Sequence, residues 1–148
     1  MDVKPRKNTG VLMSVHGKHD FMMLQMKDGS IELSIDNGKG IITVRYKPAT
    51  PWSLCDGRWH SVKVIKNKYV AVLLVDGDFT KPILGQIGAI YTHTKDPLFL
   101  GTQTHISKHR GDPTYQKFVG CIRNVQIDRE YVDLDKAKFI GNVNVSSC

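Results

Sequence analysis

The chain has 148 residues, 41% of them hydrophobic and 24% charged. That composition suits one globular domain with a real core and argues against disorder, and no apolar run approaches the roughly 20 residues of a membrane helix. A formal net charge of +7, with a pI of about 9.4, favours anionic partners: nucleic acid, an anionic membrane surface or sulfated glycans.

The N-terminus, Met1-Asp2-Val3-Lys4-Pro5, lacks the apolar stretch of a signal peptide. If the protein is secreted, the chain is expected to be cut from something larger. Gly10-Val11-Leu12-Met13 reads as an early strand, and Phe21 to Lys27 as a second. Asp28-Gly29 is a two-residue hairpin turn. Beyond it Ile31, Leu33 and Ile35 alternate with Glu32, Ser34 and Asp36, which predicts one buried face and one wet face. Asn37-Gly38-Lys39-Gly40 turns the chain into Ile41 to Tyr46. Trp59 to Lys66 and Tyr69 to Val75 form another pair around Lys66-Asn67-Lys68, with Trp59 as a core anchor and His60 as its partly buried polar neighbour. Asp76-Gly77 is one more turn, and Leu98 to Gly101 and Val119 to Ile127 are late strands. Pro48, Pro51, Pro82, Pro97 and Pro113 fall outside these runs, where a missing N–H does no harm. No stretch keeps a helical period beyond about two turns. The expected fold is all-β, an antiparallel β-sandwich or jelly roll.

Catalytic patterns are missing. No GxSxG, P-loop, GxGxxG or HExxH occurs, and the histidines are scattered. Glu32 and Asp36 form the only acidic pair on one strand face, and the turn explains Asp36 better than glycoside hydrolysis does. Three cysteines remain. In Phe118-Val119-Gly120-Cys121-Ile122-Arg123-Asn124-Val125, a strand carries Cys121 and the chain then loops to Cys148. Such a closure is typical of secreted, disulfide-stapled β-domains, and would stabilise the fold by roughly 3 kcal/mol. Cys55 is left over, read as a buried free thiol, with a bridge to a neighbouring module as the alternative. Asn144-Val145-Ser146 is an N-glycosylation sequon.

In order, Gly10 to Met13, Asp28-Gly29-Ser30 through Gly40, Asp56-Gly57-Arg58-Trp59-His60-Ser61-Val62, Val75-Asp76-Gly77, Phe99-Leu100-Gly101 and the Gly120 to Val125 closure resemble a laminin G-like module, a concanavalin-like sandwich. Leu54-Cys55-Asp56-Gly57 looks most like the terminal G modules of a laminin α chain. The resemblance implies one domain over residues 1–148 that lacks the strands with which such modules usually begin; either these are absent or another segment supplies them.

The resemblance also implies sites. Several members hold calcium at the sandwich rim through two acidic or amide side chains and two carbonyls. By register these fall at Asp20 and His93, with carbonyls at Asn37 and Tyr91. Imidazole replaces a carboxylate poorly for a hard cation, so the expectation is no cofactor, or weakly held calcium. Candidate glycan-binding cations are Lys63, Lys66 and Lys68 around a hairpin tip; Lys108, His109 and Arg110 with Lys117; and Lys136 with Lys138. Charge favours heparin or heparan sulfate, with integrins and dystroglycan as further partners; His93 lowers the dystroglycan option, whose recognition leans on calcium. A secretory setting removes nucleic acid from consideration. The expected role is a non-enzymatic, extracellular adhesion module of the matrix. Its rivals are a structural spacer in a tandem array and a carbohydrate-binding or hydrolysing jelly roll.

Overall fold

The computed structural model describes residues 1–88, 91–103, 112–141, 143 and 148. Among these residues thirteen strands form two main antiparallel sheets and one small hairpin. The first sheet runs β11 (Gly120–Arg123), β1 (Asp2–Pro5), β6 (His60–Asn67), β7 (Val70–Val75) and β8 (Asp78–Phe79), with β9 (Ile83–Leu84) also on β7. The second runs β10 (Phe99–Leu100), β2 (Gly10–His16), β3 (Phe21–Lys27), β4 (Ser30–Asp36) and β5 (Ile41–Tyr46). The hairpin is β12 (Gln126–Ile127) with β13 (Glu130–Tyr131). No helix among the described residues is long and apolar enough to cross a membrane.

The alternation built the core as expected. Met22, Leu24 and Met26 lie opposite Ile35, Leu33 and Ile31. Their side chains meet Val3, Val62, Ala71, Leu73 and Val75 of the facing sheet in one cluster. This is the sandwich of the sequence reading. Leu12 is the extra residue of a β-bulge between Val11 and Met13 and is fully buried in that core. The Asp28-Gly29 turn holds both residues at positive φ, 49° and 82°, the type I′ form that matches strand twist. A Cβ on Gly29 would strike the Pro51 carbonyl.

The structure adds one strand and corrects two expectations. The segment before Gly10 holds β1, threaded between β6 and β11. Only Val3 and Pro5 of its four residues are buried, too short a pattern to see in advance. The run Val119 to Ile127 is not one strand: β11 stops at Arg123, and Asn124 at φ 51° turns the chain before β12. Finally, the outer face of β3–β4 is not wet. Glu32 is 4% exposed and Asp36 2%: residues 101–103 and 112–118 bond across the β2–β3 part of that face beside Glu32, and Asp36 is held in its own turn by the Gly38 N–H. Gln25 is the anchor: its amide donates to Glu32 Oε2 and to the Asp112 carbonyl, both at 3.3 Å, and its oxygen accepts from the Thr114 N–H at 2.7 Å. Lys27 pairs with the Asp112 carboxylate, Ser14 Oγ donates to the Thr102 carbonyl, and Val11 N–H donates to the Gln116 carbonyl. Beside this network Val11, Phe21 and Met23 form a second small core, with Ile41 partly buried against it.

Candidate functional site

One end of the sandwich gathers the rim positions. β2 passes into β3 through a tight turn in which Gly17 N–H donates to the Asp20 carbonyl at 2.8 Å. The 91–96 segment docks on that turn: Lys95 and Asp96 N–H both donate to the His16 carbonyl, and His93 N–H donates to Asp20 Oδ2 at 2.7 Å. Gly17 is needed there, since a Cβ would collide with the His93 carbonyl. From the other side comes the Asp36–Gly38 turn, where Asp36 Oδ1 accepts the Gly38 N–H at 2.9 Å. A Cβ on Gly38 would lie 3.5 Å from Asp20 Oδ1. The Tyr91 and His93 rings are 6.2 Å apart. Asp20, Asn37, Tyr91 and His93 thus come from three separate segments to one rim.

The donor chemistry there does not fit calcium. Ca²⁺ takes six to eight oxygens. Asp20 is the only carboxylate of the four positions, it is 8% exposed, and the His93 N–H occupies one of its oxygens. Among the described residues no group of three or more His, Cys, Asp or Glu could hold a metal. A backbone hydrogen bond holds the turn closed.

The cations are spread more widely than their spacing suggested. Val62 faces the core, so Lys63 leaves the outer face of β6 and is exposed. Lys66 has the opposite parity: partial burial lowers its pKa, and its Nζ donates to the Lys68 carbonyl at 3.0 Å. Lys117 is exposed beside a parallel bridge to Val11 and comes near Gly141. Lys136 is bound to Asp133 at 3.0 Å within a short 3-10 turn, Leu134–Lys136, and Lys138 is exposed beyond it. Lys108, Arg110 and Asn144 lie outside the described residues.

Cys121 and Cys148 are joined, with Cα atoms 6.0 Å apart, and Cys55 is free. Cys55 is half-buried against the core, and burial followed by the Asp56 charge pushes its thiol pKa up, which keeps it protonated and unreactive.

Trp59 and His60 exchange the places expected of them. His60 is 7% exposed and sits between two carboxylates: Nδ1 is 2.7 Å from Asp76 Oδ2, and Nε2 is 3.0 Å from Asp56 Oδ1. Asp76 also caps the Ser61 N–H at 2.7 Å. Asp56 accepts the Arg58 N–H and its guanidinium, and these bonds, with His60 behind them, pull its pKa down to about 2. Trp59 therefore points outward. Lys4 Nζ lies 5.2 Å from its ring centroid and the Arg123 guanidinium 4.0 Å, a double cation–π clamp. Asp2 ties it down, accepting from Arg123 at 3.3 Å and from Asn124 at 2.7 Å. The missed signal was strand parity: once Val62 faces in, His60 must, and Trp59 cannot.

These elements define a disulfide-closed, two-sheet β-sandwich with a turn-built rim and a basic surface. The family profile described as Laminin G domain matches residues 3–130, and the chain belongs to that family. It is 31% identical over 148 residues to laminin subunit alpha of Drosophila melanogaster, covering 99% of this chain and 4% of that protein. Against laminin subunit alpha-1 of Mus musculus the identity is 29% over 153 residues, covering 100% of this chain and 5% of that one. The chain therefore spans about a twentieth of these relatives' length. Among solved structures, domains LG4-5 of the mouse laminin alpha1 chain superpose with a TM-score of 0.79 at 30% identity, over 90% of this chain and 35% of that one. The LG1-3 region of the laminin alpha2 chain gives 0.77 at 16% identity, over 93% of this chain and 27% of that chain, a likeness of fold alone.

Proposed function

We propose that this chain is a non-enzymatic adhesion module of the extracellular matrix that binds sulfated glycans through exposed lysines, without calcium. The observation that carries the reading is the match to laminin alpha chains over nearly the whole of this sequence. The excess of cations supports the glycan part: sulfates and carboxylates are drawn by screened Coulomb attraction. The rim supports independence from calcium, since Asp20 is already hydrogen-bonded and His93 supplies nitrogen where a second carboxylate is needed. The acidic pair on the outer face of β4 is already engaged, Glu32 by Arg45 at 2.7 Å and Asp36 by the turn, which speaks against glycoside hydrolysis. Integrin-like or dystroglycan-like receptors are further partners of the proposed role.

Heparin-affinity chromatography tests it. The protein is expected to elute above physiological salt, earlier when Lys63, Lys66 and Lys68 are all changed to Ala, and unchanged by EDTA. Elution near physiological salt would favour a spacer module, and loss of binding in EDTA would overturn the reading of the rim.

A further inference from the structure

A strand buried on one side should show polar residues on the other. β7 does not. Ala71, Leu73 and Val75 face the core, yet the outward positions are Val70, Val72 and Leu74. Pairing extends this outward face across three further strands. Val72 lies opposite Ile65 of β6, Leu74 opposite Phe79 of β8, and Val70 opposite Leu84 of β9. Six apolar side chains thus share one outer face. Phe79 and Leu84 are each 68% exposed, and Ile65 is 37% exposed. Contiguous exposed apolar surface with a polar margin marks a contact site.

Three lysines stand at its margin, and the one carboxylate at the β7–β8 turn, Asp76, is engaged by His60 and the Ser61 N–H. Lys63 stands opposite Leu74, Lys68 sits at the β6–β7 tip, and Lys81 lies between β8 and β9. None of these three ammonium groups makes an ion pair among the described residues, and no outward position of β6, β7, β8 or β9 is acidic. An apolar centre excludes a glycan as sole occupant, because sulfated sugars have little apolar surface to bury. A second copy of this chain would set lysine against lysine, with +7 on each partner, and like charges facing each other oppose docking.

We propose that the outer face of β6–β9 docks a protein surface with an apolar centre and an acidic margin. The aliphatic patch supplies the buried area, and Lys63, Lys68 and Lys81 set orientation and partner choice. This goes beyond the glycan reading and does not depend on it.

A disulfide-cyclised β-hairpin peptide with Val and Phe on one face and Glu at its margins is the probe, and the same peptide with Lys replacing Glu is the control. Titration calorimetry should show the acidic hairpin binding at least about tenfold more tightly than the control. The pair Phe79→Ser with Leu84→Ser should weaken it about tenfold or more and leave heparin elution unchanged, since neither residue is a cation. Lys63→Glu with Lys81→Glu should reverse the preference between peptides. Equal binding of both hairpins, binding of neither, or indifference to the serine changes would overturn the proposal. So would a wild-type dimer in sedimentation that the serine changes dissolve, because a second copy would then be the occupant.

Discussion

The two sheets treat their outer faces differently. On the second sheet, apolar Val11, Phe21 and Met23 point outward, and the chain folds residues 101–103 and 112–118 over that side, pinned by Gln25. On the first sheet the β1–β11 half is closed by short contacts: Trp59 between Lys4 and Arg123, the Asp2 ion pair, and the nearby disulfide. The β6–β9 half of that sheet keeps Ile65, Phe79 and Leu84 bare among the described residues. A chain that covers one apolar outer face so thoroughly shows what an intramolecular cover looks like here: a buried polar anchor and several cross-loop hydrogen bonds. Nothing of that kind reaches Val72 or Leu74 among the described residues, which is why an intermolecular cover fits that face.

Mutations at matched positions should expose this contrast. Phe21 is 2% exposed in the small outer core with Val11 and Met23, so Phe21→Ala should cost about 3–5 kcal/mol in denaturant unfolding. Removing the Cys121–Cys148 bridge by paired serine changes should lower stability by roughly 3 kcal/mol, read from the urea midpoint. Gln25→Ala strips the cover of its anchor and leaves the Thr114 N–H without its partner, while the Asp112 carbonyl keeps Lys27; about 2 kcal/mol should be lost. Hydrogen exchange should rise at Thr114 in that variant and stay unchanged along β7. The closed end of the first sheet adds a pH dependence. Asp56 titrates lower in the fold, near 2, than its ordinary value, so its contribution is present above that ordinary value and fades as pH falls toward 2. Thermal melts between pH 4.5 and 2 should show a shallower acid loss in Asp56→Asn than in the parent. The smallest effect belongs to the open face: Phe79→Ser or Leu84→Ser should change stability by no more than about 0.5 kcal/mol. A large loss at Phe79 would mean that the face is covered after all.

Much of this was visible in the residues. The alternation of Ile31, Leu33 and Ile35 and the Asp28-Gly29 turn located the β3–β4 hairpin, and the Gly120–Val125 run with Cys148 pointed to the closure. Alternation, however, reports only that neighbours face opposite ways. It cannot tell that Glu32 will be roofed, because the neighbouring Gln25 is bonded to Asp112, 87 positions later. The four residues of β1 carry too little pattern to mark a strand, and at Trp59 strand parity outranks side-chain size. The rim positions could be found by register, and their meeting at one end follows from that register. The open face of β7 was written in Val70, Val72 and Leu74, but a run apolar on both sides reads equally well as a strand buried on both.

Heparin chromatography of three proteins in parallel, with and without EDTA, tests the central claim most directly: the parent, the Lys63, Lys66 and Lys68 triple alanine variant, and the Phe79→Ser, Leu84→Ser pair. A basic, calcium-independent adhesion module predicts an earlier peak for the lysine variant only, and no response to chelation. Identical elution of all three at low salt, or release of the parent by EDTA, would contradict it.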